Sequence, residues 1–168
     1  MRAGVLCVLL CSGCVPVVEE PDRGALDVVI NEIQADNVTT LADESGGFDD
    51  WIELHNTGAV DADLTGHSLT DDLGAPRKWA FPDDTTIPAG GYLLVWADGE
   101  DDGPLHASFK LSSGGEEVGL FGPLDGGGVR IDAGEFGPQD PDLSIARMPD
   151  GALDWETDAS PTPGAMNE

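Results

Sequence analysis

Basic residues are scarce in this chain: 7 Lys and Arg stand against 33 Asp and Glu, a formal net charge of −26. Affinity for nucleic acid rests largely on Lys and Arg displacing counterions from phosphates, so nucleic-acid binding is excluded. The same deficit excludes attachment to anionic lipid through a basic surface. Cysteine is absent after residue 14, since Cys7, Cys11 and Cys14 are all there are. No apolar run approaches the ~20 residues that a membrane-spanning helix requires. Amphipathic helical periodicity is missing after residue 26, and no repeat of fixed period suggests a propeller or solenoid. Also missing are a Gly-x-Ser-x-Gly elbow, a His-Glu-x-x-His pair and a phosphate-cradling glycine loop.

What is present is a globular composition, 40% hydrophobic, with 23 glycines and 12 prolines set between short apolar runs. That pattern suits many short strands joined by turns. At 168 residues there is room for one domain with short extras. The acidic excess has two readings. It is tolerable in a salty habitat, or it serves a cationic partner or calcium.

The N-terminus has the layout of a targeting segment: Arg2, then the apolar stretch Val5 to Cys11, then small Ser12-Gly13. Seven apolar residues span only about 10 Å as a helix, too short to cross a bilayer. The segment resembles a bacterial lipobox with Cys14 as the lipidated cysteine, although the usual upstream Leu is replaced by Cys11, with Leu10 one place earlier. The resemblance implies cleavage after residue 13 and a lipid-anchored chain, with residues 14–26 as a solvated tether. Val15 in place of Asp points to the outer membrane, facing either the periplasm or the outside. Cys7-x3-Cys11-x2-Cys14 also has the spacing of an iron–sulfur triad, and Cys11-x2-Cys14 that of half a zinc site. The apolar context and the lack of a second ligand pair speak against both, so no metal or cofactor is expected.

In residues 27–168 the strand candidates are Leu26–Gln34, Asp50–Asn56, His67–Thr70, Arg77–Phe81, Tyr92–Ala97, Glu117–Phe121, Val129–Ala133 and Ser144–Met148. Alternation in Asp50–Asn56 places Ile52 and Leu54 on one face and Trp51, Glu53 and His55 on the other. Leu93 to Ala97 is apolar on both faces, which suggests a central strand. Gly90-Gly91 and Gly114-Gly115 suit tight hairpins, and Pro163-Gly164 is expected to end the last strand. Four tryptophans, Trp51, Trp79, Trp96 and Trp155, are candidate anchors, at least two of them between sheets. The expectation is an all-β fold, a β-sandwich.

The order of short motifs resembles that of bacterial lamin-tail domains. It runs through Ile30-Asn31-Glu32-Ile33, Asp50-Trp51-Ile52-Glu53-Leu54, Asp63-Leu64-Thr65-Gly66, Lys78-Trp79-Ala80-Phe81-Pro82 and Ile87-Pro88-Ala89-Gly90-Gly91-Tyr92-Leu93. It continues through Leu105-His106-Ala107-Ser108-Phe109-Lys110-Leu111, Ser144 to Gly151, Trp155, and Pro161 to Asn167. The resemblance implies an immunoglobulin-like sandwich and a non-enzymatic module that binds protein or polysaccharide.

Candidate chemistry is weighed against simpler roles. His55, His67 and His106 are read as structural. Ser112 and Ser113 lie in a turn with no neighbouring base. The pairs Asp49-Asp50, Asp71-Asp72, Asp83-Asp84 and Asp101-Asp102 could serve a carboxylate-dependent hydrolase, but so many acids make pairs by chance. Asp98, Glu100 and Asp102 with Gly103 match the start of an EF-hand loop, yet Phe109 stands where a bidentate Glu is needed. No catalytic residue is assigned.

Overall fold

The computed structural model describes residues 26–100, 103–123 and 127–167. Cys7, Cys11, Cys14, most of the tether, and Asp101 and Asp102 lie outside the described residues. Among the described residues there is no helix, and therefore none long and apolar enough to cross a membrane.

Eleven strands form: β1 (Val28–Gln34), β2 (Trp51–Asn56), β3 (Ala62–Asp63), β4 (Ser68–Thr70), β5 (Trp79–Ala80), β6 (Thr86–Ile87), β7 (Tyr92–Trp96), β8 (Glu116–Phe121), β9 (Arg130–Phe136), β10 (Ser144–Arg147) and β11 (Trp155–Asp158). One antiparallel sheet has the order β11-β10-β1-β2-β7, and a second has β5-β4-β8-β9. The short β3-β6 pair accompanies them. Three strands have no counterpart in the sequence reading: β3, β6 and β11.

Alternation explains the core. Ile52 and Leu54 of β2, Val28, Ile30 and Ile33 of β1, and Val95 of β7 meet Leu69, Val118 and Leu120 of the second sheet in one buried cluster. The two sheets therefore stack as a sandwich. Leu64 and Ile87 close one end of it. Trp79 lies within this cluster and Trp155 packs against it. Trp51 is fully buried on the other face of the five-stranded sheet, where its indole N–H donates to Gln34 Oε1 at 2.8 Å.

Strand β7 is a margin of its sheet and not a central strand: β2 is its one strand neighbour. Its C-terminal residues Val95 and Trp96 are buried even so, and the chain at residues 105–107 runs along the free edge there. The Trp96 N–H donates to Leu105 O at 2.8 Å and the Ala107 N–H to Trp96 O at 2.7 Å. Nor does Pro163-Gly164 end a strand. Strand β11 stops at Asp158, and residues 159–167 run on as a separate closing segment. Of the two glycine pairs, only Gly90 (φ 66) and Gly115 (φ 106) take the positive φ that a turn demands.

A bulge in β1 sets up the rest. Ile30 lies opposite Leu54 and Glu32 opposite Glu53, so Asn31 is the extra residue. Without it, the apolar phase that puts Ile30 inward would turn Ile33 outward. With it, both face the core, and Asn31 and Glu32 face the outer surface of the sheet. At the bulge the Ile30 N–H donates to Asp132 Oδ2 at 2.8 Å and the Ile30 carbonyl accepts Arg147 Nε at 2.7 Å. Arg147 also forms two bonds to Asp132, at 3.0 and 2.9 Å, and its guanidinium lies 4.5 Å from the Trp155 ring centre. One side chain from β10 thus ties β1 to β9 of the opposite sheet.

Candidate functional site

The densest polar constellation lies on the outer face of the five-stranded sheet. Glu32 of β1 and Glu53 of β2 are cross-strand partners, and both are 0% exposed. Glu32 Oε1 accepts the Ser144 hydroxyl at 2.5 Å, and both its oxygens accept the Thr162 N–H at 3.3 Å. Glu53 accepts the Gly164 N–H at 2.5 Å and the Asn31 amide at 3.3 Å. No Lys, Arg or His is among these partners. Burial is the main cause that pushes both carboxyl groups up to about 7, outweighing the hydrogen bonds, and nearby Asp150 adds to it.

Asp150 completes the group from the loop after β10. It accepts hydrogen bonds from the Tyr92 hydroxyl, the Asn31 amide at 3.0 Å and the Asn167 N–H at 3.0 Å. Burial opposes its charge, but these donors hold it below the usual carboxylate range. Burial and the bond to Asp150 push the Tyr92 phenol up in turn. His55 stacks on Tyr92 with ring centres 4.5 Å apart.

The closing segment is the lid on this group. Its N–H groups at Thr162, Gly164 and Asn167 reach Glu32, Glu53 and Asp150 in turn. The Asn167 side-chain amide donates to the carbonyls of Asn31 at 3.3 Å and Arg147 at 3.0 Å. The acids therefore act as an anchor for backbone donors, and they sit beneath the chain instead of in an open cleft.

A second cluster surrounds His106, which is 4% exposed. Its Nδ1 donates to Asp98 and its Nε2 to Glu44 at 3.0 Å. Burial opposes the charge, but the two carboxylates outweigh it and push the imidazole up to about 9, so it is an imidazolium at neutral pH. Asp98, the first position of the EF-hand-like stretch, is thus turned inward onto a cation, with its other oxygen accepting the Glu100 N–H at 2.9 Å. A third carboxylate, Asp142, accepts the N–H groups of Val38 and Thr39 at 2.8 and 2.7 Å and the hydroxyls of Thr39 and Thr40. These bonds lower its pKa and fasten the loop after β1.

Three members of the adjacent aspartate pairs, Asp50, Asp71 and Asp72, serve turns and an ion pair. Asp50 accepts the Asn37 N–H at 3.2 Å, Asp71 pairs with Lys78 at 2.5 Å, and Asp72 accepts the Gly74 N–H at 2.8 Å. Ser112 is in a turn, its carbonyl accepting the Gly115 N–H at 3.0 Å. The His67 ring bonds to Thr65 O at 3.3 Å. Among the described residues, no group of three or more His, Cys, Asp and Glu is arranged to hold a metal ion. Glu32 and Glu53, cross-strand partners in the five-stranded sheet, are a carboxylate pair that the sequence reading does not single out. Its signal was an acid in the middle of each of two apolar strands, at Ile30-Asn31-Glu32-Ile33 and Ile52-Glu53-Leu54.

Two stacked antiparallel sheets around one buried cluster define a β-sandwich. The family model for the Lamin Tail Domain matches residues 21–135, and the chain belongs to that family. Among curated proteins, none matches this chain. The family's immunoglobulin-like fold is in general non-catalytic and is compatible with an interaction module.

Proposed function

We propose that this protein is a cell-envelope lipoprotein, lipidated at Cys14, whose lamin-tail sandwich is a non-enzymatic structural, adhesive or tethering module for a protein or polysaccharide. The observation that carries the reading is the engagement of the buried polar groups with the protein's own backbone and side chains. Glu32 and Glu53 hold the closing segment, and His106 is clamped between Asp98 and Glu44. General acid–base work needs a group within hydrogen-bond reach of a substrate. The two glutamates that meet have 0% exposure. The acidic composition supports a partner other than nucleic acid. The lipobox-like residues before Cys14 support an outer-membrane anchor, facing the periplasm or the exterior, with the lipid as the one membrane contact.

The test has two arms. Lipid labelling and membrane fractionation compare the chain with its Cys14→Ser variant, which is expected to lose label and leave the membrane fraction. Unchanged labelling overturns the anchor. Envelope proteins and cell-wall polysaccharides are then presented to the immobilised protein. Saturable retention of one of them is expected, and turnover of a polysaccharide in place of retention overturns the non-enzymatic reading.

A further inference from the structure

We propose that residues 159–167 form a proton-controlled clasp, seated while Glu32 and Glu53 are protonated and released from the outer face of the five-stranded sheet when both are charged. Two observations of geometry motivate this. The glutamates are neighbours across β1 and β2, both fully buried, with no cationic side chain among their hydrogen-bond partners. The closing segment fastens to them by main-chain N–H groups at Thr162 and Gly164.

The direction follows from which groups surround the pair. On β2, β7 and the loop after β10, Glu53 and Glu32 face each other, Tyr92 and Asp150; His55 lies beside them on β2. From β11, Asp158 adds negative charge to Glu32, and its Oδ2 is buried with no hydrogen-bond partner. On β10, Ser144 is uncharged, and the Arg147 guanidinium is directed to Asp132. Asp150 is held in its charged form, so ionising Glu32 and Glu53 sets two buried negative charges beside a third that is half-buried. Backbone N–H donors favour a carboxylate, but burial outweighs them here, and both glutamates titrate near neutrality, about 7. Lifting the clasp returns water to the carboxylates and relieves that penalty. The clasp itself, Ser160 to Asn167, has no titratable side chain, so its response to pH must come from the sheet beneath it.

Hydrogen exchange of the full chain, resolved by NMR and corrected for intrinsic rates, reads the clasp directly. Protection at the Thr162 and Gly164 amides is expected to fall at least about tenfold between about pH 5 and about pH 8.5, leaving them far less protected than Ile52 and Val95 in the sheet below, which stays closed while the clasp lifts. In the Glu32→Gln/Glu53→Gln double variant the two amides are expected to stay protected at both pH values. Three results overturn the proposal: constant protection in the unsubstituted chain, clasp amides that remain as protected as Ile52 and Val95 at the higher pH, or the same pH response in the double variant. If the double variant does not fold, the comparison of clasp with sheet amides in the unsubstituted chain decides.

Discussion

Arg147→Ala is expected to remove a large share of this domain's stability without touching its apolar core. The side chain is 4% exposed and joins β10 to β1 and β9 through four kinds of contact. Its Nε serves the Ile30 carbonyl, its Nη2 both oxygens of Asp132, its Nη1 the Ala152 carbonyl, and its flat face the Trp155 ring. Truncation leaves the Ile30 carbonyl unpartnered at the bulge and Asp132 with the Ile30 N–H as its remaining donor. Breaking a buried pair by deleting one partner costs about 3–5 kcal/mol. The Asp132 side chain is 18% exposed and regains some hydration, which favours the lower end, about 3 kcal/mol. Against a total of roughly 5–15 kcal/mol for a domain, that is a substantial fraction. Urea unfolding followed by tryptophan fluorescence should show a lower midpoint with an unchanged slope. Adding Asp132→Asn should cost less in the Arg147→Ala background than alone, with a coupling of at least about 1 kcal/mol. A loss below about 1 kcal/mol for Arg147→Ala, or full additivity with Asp132→Asn, would refute the reasoning.

Other outcomes follow from the same contacts. Stability should fall as pH rises. Between their ordinary 4.5 and about 7, Glu32 and Glu53 keep protons in the folded chain that the unfolded chain has released, and this contribution is lost through that window. It amounts to about 3 kcal/mol for either carboxyl taken alone. His106 acts in the same direction, its contribution complete below 6.5 and lost as pH climbs through about 9. Denaturant titrations at fixed salt should give a higher unfolding free energy at about pH 5 than at about pH 9, and the opposite slope would contradict these assignments. Gly115→Ala should destabilise the turn that leads into β8, because a Cβ there would stand 2.8 Å from the Phe136 carbonyl at the end of β9, at a φ of 106°. The check is a lowered melting temperature, and no change would show that the turn relaxes freely. Asp142→Ala should speed proteolysis within residues 38–49 by releasing Val38, Thr39 and Thr40, with the sheet amides unaffected. Uniform loss of protection would instead make Asp142 a determinant of the whole fold.

Where several residues alternate, the sequence was readable. Asp50–Asn56 was assigned its inward and outward faces correctly, and the long strands were located to within a few residues. The two-residue strands β3 and β6 carry no periodic signal, because alternation needs at least a few positions to be seen. Strand β7 was read as central from its apolar residues, but apolarity reports burial, not the number of hydrogen-bonded neighbours. The backbone of residues 105–107 bonds along the free edge there. The glutamate pair is obscured by abundance, as two among 33 acids. Their distinction is position, each flanked by isoleucine or leucine, where an acid is expensive unless it is paired or protonated. The bulge at Asn31 was beyond pattern reading, since it shows only as a three-residue step between Ile30 and Ile33.

That step also offers the most direct measurement. Cross-strand nuclear Overhauser contacts in the folded protein at mildly acidic pH should link Glu32 to both Glu53 and Ala146, Ile30 to Leu54, and the Gly164 amide to the Glu53 side chain. Contacts showing Asn31 opposite Glu53, or a Gly164 amide remote from β2, would contradict the bulged, clasped sandwich described above.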